Sequence, residues 1–325
     1  MPSRALPAAA AAILAAALCT AAPPATAEPV PSCSSGAVTT YTPPPGTNRP
    51  FGIVVQGGAT WFAHGATIDT LRDGTITEHP VPDPDLADVG WLTAGPEGSV
   101  WFADRGTGRL GTIDTAGTVH EFQIPDGANG TAVPQAIVLQ PDNVWFTDQA
   151  NNRIGARNRT TGAFTFHTVP TGDPLGLIRA RDGGLYFTER AVDKVGRLDP
   201  ATGLFTEWTL TPGAFPNRLA TDPEGNVWFT ELHTAMLGRI DNRGRLHETP
   251  LPTGPVGIRY ADGRLYTAMP TAGQLDIISR NGHIERSYTL PAAAGVLQLA
   301  VALPYVWVAD GFADHIYRVD ARCHP

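Results

Sequence analysis

The chain has 325 residues, 42% of them hydrophobic, and a formal net charge of −8. That acidic balance excludes the basic face a nucleic-acid partner requires, and it supplies no polybasic motif for anionic lipid. A single lysine, Lys194, among many arginines, with abundant Ala, Gly and Pro, points to a high-GC bacterial source.

The N-terminus comes first. Arg4 is a short positive start, Ala5 to Leu18 is an apolar run too short to span a bilayer, and Ala25-Thr26-Ala27 fits a small-residue cleavage site. Residues 1–27 read as a secretory signal peptide, 28–36 as a lead segment with Cys33, and 37–325 as one domain. The expected product is secreted and extracellular, with no membrane attachment after cleavage. Its two cysteines, Cys33 and Cys323, then read as a disulfide, since free thiols do poorly in an oxidising compartment.

Beyond residue 37 one phrase returns in seven variants: "TWFAH", "VWFAD", "VWFTD", "LYFTE", "VWFTE", "LYTAM" and "VWVAD". Its aromatic anchors are Trp61, Trp101, Trp145, Tyr186, Trp228, Tyr266 and Trp307, spaced 40, 44, 41, 42, 38 and 41 residues apart. Each unit opens on a segment such as "RPFGIVV", turns at a phrase such as "DPEGN", and runs through the aromatic strand. A strand such as "RIGAR" and a last strand such as "TVHEFQIP" follow. Period-two alternation between Gly, Pro and Asp turns predicts four short strands per unit. Four strands at a period near 41 predict an all-β, seven-bladed β-propeller.

The last unit, "DHIYRVDARCHP", ends one strand short, while "AVTTYTPP" at 37–44 is a strand without a blade. The N-terminal strand is therefore expected to complete the last blade, with Cys33 and Cys323 flanking the junction. The position ending each aromatic strand holds His64, Asp104, Asp148, Glu189, Glu231, Met269 and Asp310. Acids that recur in most blades predict blade-to-blade hydrogen bonding rather than one active site. His233 occurs in one blade, at a loop position, and reads as a surface residue.

The phrases "NVWFTDQANNRIGARN" and "GNVWFTELHTAMLGRIDNRGRLHETPLP" resemble the streptogramin B lyase family over about residues 38 to 320. The resemblance implies a seven-bladed propeller that linearises a cyclic depsipeptide by elimination, using Mg²⁺ at the mouth of the central channel. It implies a metal polarising the ester carbonyl and a histidine removing the neighbouring α-proton. It also implies a histidine in a "P-H-x-I" motif, a glutamate and histidine in "E-P-H-G-I", and a further glutamate. At those places this chain has Asn217, Gly254 with Val256, and Pro270. None keeps the functional group, so the frame is expected to persist without the lyase chemistry.

The histidine-equivalent position reads Phe51, Gly90, Gln135, Leu175, Asn217, Val256 and Leu297 around the ring, and is largely apolar. The first expectation is a monomeric binding or scaffolding propeller for a small molecule, glycan or peptide, with no cofactor. Its candidate contacts are Arg49, Phe51, Asp88, Trp91, Gln135, Asp173, Asn217 and Arg218, with Trp91 read equally as an aromatic that stacks on a ligand or as core packing. The second is an enzyme of another class built on Arg49, His64, Asp104 and Arg105. The third is a Mg²⁺-dependent lyase with relocated residues.

Overall fold

Short alternating strands bury their apolar faces only by stacking sheet on sheet. In the computed structural model, which describes residues 37–45, 49–293 and 295–323, the repeat does so as a ring. The expected signal peptide, the lead segment and Cys33 lie outside the described residues. Within them are seven four-stranded antiparallel sheets. Blade one runs outward as β2 (Pro50–Gln56), β3 (Ala59–His64), β4 (Thr67–Arg72) and β5 (Thr75–Thr77). The other inner strands are β6 (Val89–Ala94), β10 (Pro134–Leu139), β14 (Pro174–Arg179), β18 (Pro216–Thr221), β22 (Ile258–Ala261) and β26 (Val296–Ala302). Each packs on the next, and β26 returns to β2, which closes the ring.

The last blade is completed by β1 (Val38–Tyr41), as the missing strand predicts. It pairs antiparallel with β28 (His315–Asp320), Val38 opposite Val319 and Tyr41 opposite Ile316. Beside this junction Cys323 is buried, and its carbonyl accepts the Tyr288 hydroxyl at 2.8 Å.

Each letter of the recurring phrase has a physical task, seen best in blade three: β10, β11 (Asn143–Asp148), β12 (Arg153–Asn158) and β13 (Phe164–Thr168). Phe146 lies flat on Gly155 of the next strand, where a Cβ would meet its ring at 2.2 Å. Phe102, Phe187 and Phe229 sit on Gly111, Gly196 and Gly238 in the same way. Each of these rings is fully buried, which contributes about 2–3 kcal/mol apiece. On the opposite face Trp145 stacks on His167 of the outer strand at 6.0 Å, as Trp101 does on Phe122 at 5.7 Å.

The threonine carries the bond between blades. Thr147 Oγ1 accepts the Ala136 N–H and donates to the Leu175 carbonyl of the neighbouring blade, both at 2.9 Å. Thr188 and Thr230 repeat this toward the Asn217 and Val256 carbonyls. The acids, expected to bond between blades, bond within one. Asp104 Oδ1 accepts N–H groups from Asp88, Gly106 and Thr107, and Asp310 Oδ1 those of Gly295, Phe312 and Ala313. A side chain this short reaches only the loop leading into its own blade and the turn that follows it.

Candidate functional site

Six of the seven inner strands slip register near their start: between Pro50 and Ile53, Val89 and Leu92, Pro134 and Ile137, Pro174 and Leu177, Pro216 and Leu219, and Val296 and Gln298. Such a bulge takes residues out of the ladder and re-aims their side chains. The released positions include Phe51, Trp91, Gln135, Asn217 and Arg218.

Three of these meet. The Arg218 guanidinium lies 3.9 Å from the Trp91 ring centroid and 5.5 Å from that of Phe51. Phe51 and Trp91 are edge to face at 6.5 Å. In the orientation that satisfies both groups, the Gln298 amide oxygen accepts Arg218 Nη2 at 3.3 Å and Nε at 3.2 Å. These residues come from blades five, two, one and seven. Side chains of non-adjacent blades touch only across the axis, so they form a partition in the central channel.

Arg218 is 3% exposed, and its Nη1 has no hydrogen-bond partner. Burial pushes the guanidinium well below its usual range, and Arg259, Arg190 and Arg105 push the same way. Arginine stays charged regardless, so the channel holds a buried cation among other cations. Stacking on Trp91 offsets about 0.5–2 kcal/mol of that cost.

Two cavities adjoin these residues. One, about 290 Å³, is lined by Arg49, Phe51, Asp88, Arg105 and Phe312 among others. Arg105 closes on Asp88 at 2.7 Å and stands 4.9 Å over Phe51, while Arg49 stands 4.7 Å over Phe312. The other, about 390 Å³, is lined by Trp91, Arg179, Arg218, Thr221, Arg259 and Tyr260 among others. Reading the sequence missed Arg259 and Gln298. Both stand near the start of inner strands, at positions whose type changes from blade to blade.

The other candidates have local partners. Gln135 donates to Gln149 at 2.8 Å, and Gln149 to Asp173 at 2.5 Å. Asp173 also accepts the Ala191 N–H at 2.8 Å. Asn217 is buried, with its carbonyl taken by Thr188. His233 is exposed and stacks on Phe215 at 4.1 Å. The constellation Arg49, His64, Asp104 and Arg105 is divided. Arg49 and Arg105 line the smaller cavity, Asp104 serves backbone amides, and His64 faces Asp69 and Asp314.

The positions that would supply a Mg²⁺ site do not fit one. Gly254, Val256 and Pro270 offer no side-chain ligand. A Cβ on Gly254 would lie 1.8 Å from the Leu232 carbonyl oxygen, so no glutamate is accommodated there. Asp88 and Asp173, the lead-in carboxylates nearest the inner-strand starts, are engaged as described.

The pattern of the virginiamycin B lyase family matches residues 65–173 and 130–323. The virginiamycin B lyase of Nocardia farcinica is 32% identical over 200 residues, 59% of this chain and 67% of that protein. A streptogramin B lyase structure superposes with a TM-score of 0.78 at 25% identity, over 86% of this chain and 96% of that one. A catalytically inactive histidine-to-alanine variant of the Staphylococcus aureus virginiamycin B lyase with quinupristin gives 0.79 at 25% identity, covering 87% and 98%. With the family's pattern running through blades one to seven, this chain belongs to the virginiamycin B lyase family.

Proposed function

We propose that this member of the family binds a ligand in its central channel and does not linearise streptogramin B. The ligand is a small molecule, glycan or peptide that carries an anionic group. One observation carries the reading: Arg218, buried and charged, has an unpartnered donor and no carboxylate ion pair among the described residues. A carboxylate, sulfate or phosphate ester on Nη1 would gain a charge-assisted bond and relieve the repulsion from Arg259, Arg190 and Arg105. A flat apolar portion of the same ligand suits the Trp91 and Phe51 rings. The positions Asn217, Gly254, Val256 and Pro270 support binding over elimination, because none can take the α-proton and Gly254 and Pro270 have no side-chain ligand for the metal. The chain is proposed to act as a secreted monomer, clasped by Cys33–Cys323, without a cofactor.

Two measurements test the reading. The protein is incubated with a streptogramin B and Mg²⁺, with and without chelator, and the products are separated by chromatography, since elimination leaves the mass unchanged. No linear isomer is expected; a chelator-sensitive one would establish the lyase instead. A thermal-shift screen of aromatic carboxylates and sulfated glycans is expected to raise Tm in the wild type and not in Arg218→Met. Equal shifts in both would remove Arg218 from the site.

A further inference from the structure

We propose a divalent-cation site at the seam between blades one and seven, with His64 Nδ1, Asp69 and Glu78 as ligands and Asp314 holding the histidine from behind. His64, 5% exposed, ends β3, and Asp69, fully buried, lies on β4 opposite Phe62. Continuing the β4–β5 register outward brings Glu78 level with Asp69. Cross-strand and diagonal neighbours on one face approach closely, and one ligand atom from each of the three residues lies within 4.8 Å of the other two.

The local chemistry leaves charge uncompensated. Neither oxygen of Asp69 accepts a hydrogen bond, and both are buried. Among the described residues, the one basic group paired with it is His64 Nδ1, at 3.4 Å. In blades two and four the glutamate matching Glu78 has a cation: Arg109 meets Glu121 at 3.0 Å and Lys194 meets Glu207 at 2.9 Å; in blade five Glu248 takes the Thr211 N–H and hydroxyl instead. In blade one that partner's place is held by Thr67. The glycine on which Phe102 and Phe146 rest is here the aspartate. Compared with blades two and four, blade one lacks the cation and has a buried carboxylate and a histidine. Proton uptake by His64 supplies one positive charge for Asp69, Glu78 and Asp314; a divalent ion supplies two.

The donor set selects the ion. One imidazole and two carboxylates suit Zn²⁺ or Co²⁺, whereas Ca²⁺ and Mg²⁺ favour oxygen alone. Ligands on a tetrahedral zinc stand about 3.3 Å apart, so small rotations draw them in. The second ring nitrogen completes the pattern. His64 Nε2 faces Asp314 Oδ1 at 3.3 Å, and a metal-ligating histidine commonly gives its other N–H to a carboxylate, which fixes tautomer and ring orientation. Asp314 belongs to the turn before β28, so a bound ion would tie the first blade to the last.

The test uses tag-free full-length protein, freed of metal with chelator. Calorimetric titration with ZnCl₂ is expected to show one saturable equimolar site and a rise in Tm, with CaCl₂ and MgCl₂ giving neither. Co²⁺ is expected to add visible bands of mixed nitrogen and oxygen ligation. Glu78→Gln, at an exposed position that leaves folding intact, should weaken zinc at least about tenfold, and Asp69→Asn should abolish it. No saturable site for any of these ions overturns the proposal. So does zinc binding that both variants leave unchanged.

Discussion

Blades three and one are built on one backbone plan and distribute charge differently. In blade three the strand-end carboxylate, Asp148, meets the Val133 and Asn151 N–H groups, the Asn151 amide and Arg153 Nε at 2.7 Å. Next to it Phe146 rests on Gly155. In blade one the strand end is His64, and the carboxylate has moved one strand outward to Asp69, beyond reach of the loop amides. Every buried charge in blade three is matched on the spot; in blade one it is not. The central channel follows the same rule, because the bulge position that holds Arg218 in blade five holds Ala136 in blade three and Gly176 in blade four. The strand-end aspartates Asp104 and Asp148 are electrostatically closed; open valences appear at Asp69 and Arg218, where the repeat is broken, and at the longer strand-end acids Glu189 and Glu231.

The harshest test of that contrast swaps the two designs. Gly155→Asp copies blade one into blade three, and its Cβ would stand 2.2 Å from the Phe146 ring. It should cost at least about 3 kcal/mol in chemical denaturation, from overpacking and a buried unpaired charge. The reverse exchange, Asp69→Gly in chelator, should remain within about 1 kcal/mol of wild type. If Gly155→Asp is tolerated, the blades are interchangeable and the contrast fails.

The next effect concerns the same seam from its covalent side. A Cys33–Cys323 bridge would close nearly the whole chain into one loop and clasp the outer strand of blade seven. Cys323→Ser should then lower stability by about 2–4 kcal/mol, and reductant should lower the wild type equally and leave the variant unmoved. A reductant effect that persists in Cys323→Ser rules the clasp out.

Much of this was legible in the sequence, and the limits have physical causes. The Trp and Tyr anchors announced seven blades because an aromatic ring packs into the core at that position of each blade. The missing last strand announced β1. The acids were assigned to the wrong neighbour, since a repeat shows that a group is satisfied and not by whom; Thr147, Thr188 and Thr230 carry the bonds between blades. Phe51, Trp91 and Arg218 were each legible as channel candidates, but their meeting depends on bulges and on the width of the ring. Asp69 was missed although it had a signal: "TIDTLR" places an aspartate where "RIGARN" and "KVGRL" have glycine.

A smaller effect of opposite sign is expected in the channel. Arg218→Met removes a buried charge that has no carboxylate partner and keeps a side chain able to pack on Trp91. The ligand-free protein should gain on the order of 1–2 kcal/mol, read as a higher urea midpoint with unchanged slope. A loss would mean that the Gln298 and Trp91 contacts outweigh desolvation, and that Arg218 is a structural strut rather than a waiting donor.

The smallest effect separates an aspartate from a glutamate at equivalent strand ends. Glu231 is one methylene longer than Asp148. Its Oε2 accepts only the Thr234 hydroxyl, at 2.9 Å, and its Oε1 is buried without a partner. Burial pushes its pKa up to about 7, Thr234 pulls it back, and Glu248 and Asp193 push it further up. An unfolded glutamate titrates near 4.3, so between these values the folded chain holds the extra proton. Stability from this group is complete below about pH 4.3 and is lost as pH rises through about 7. Glu189, pushed up to about 6 chiefly by burial, covers the lower part of the window. Glu231→Gln keeps the neutral form at every pH. It should match wild type near pH 4.5, exceed it at pH 8 by on the order of 1 kcal/mol after solvent screening, and lack the fall between about 6 and 7. If wild type and variant fall in parallel, Glu231 is charged in the folded state and the longer side chain has found a donor as Asp148 has.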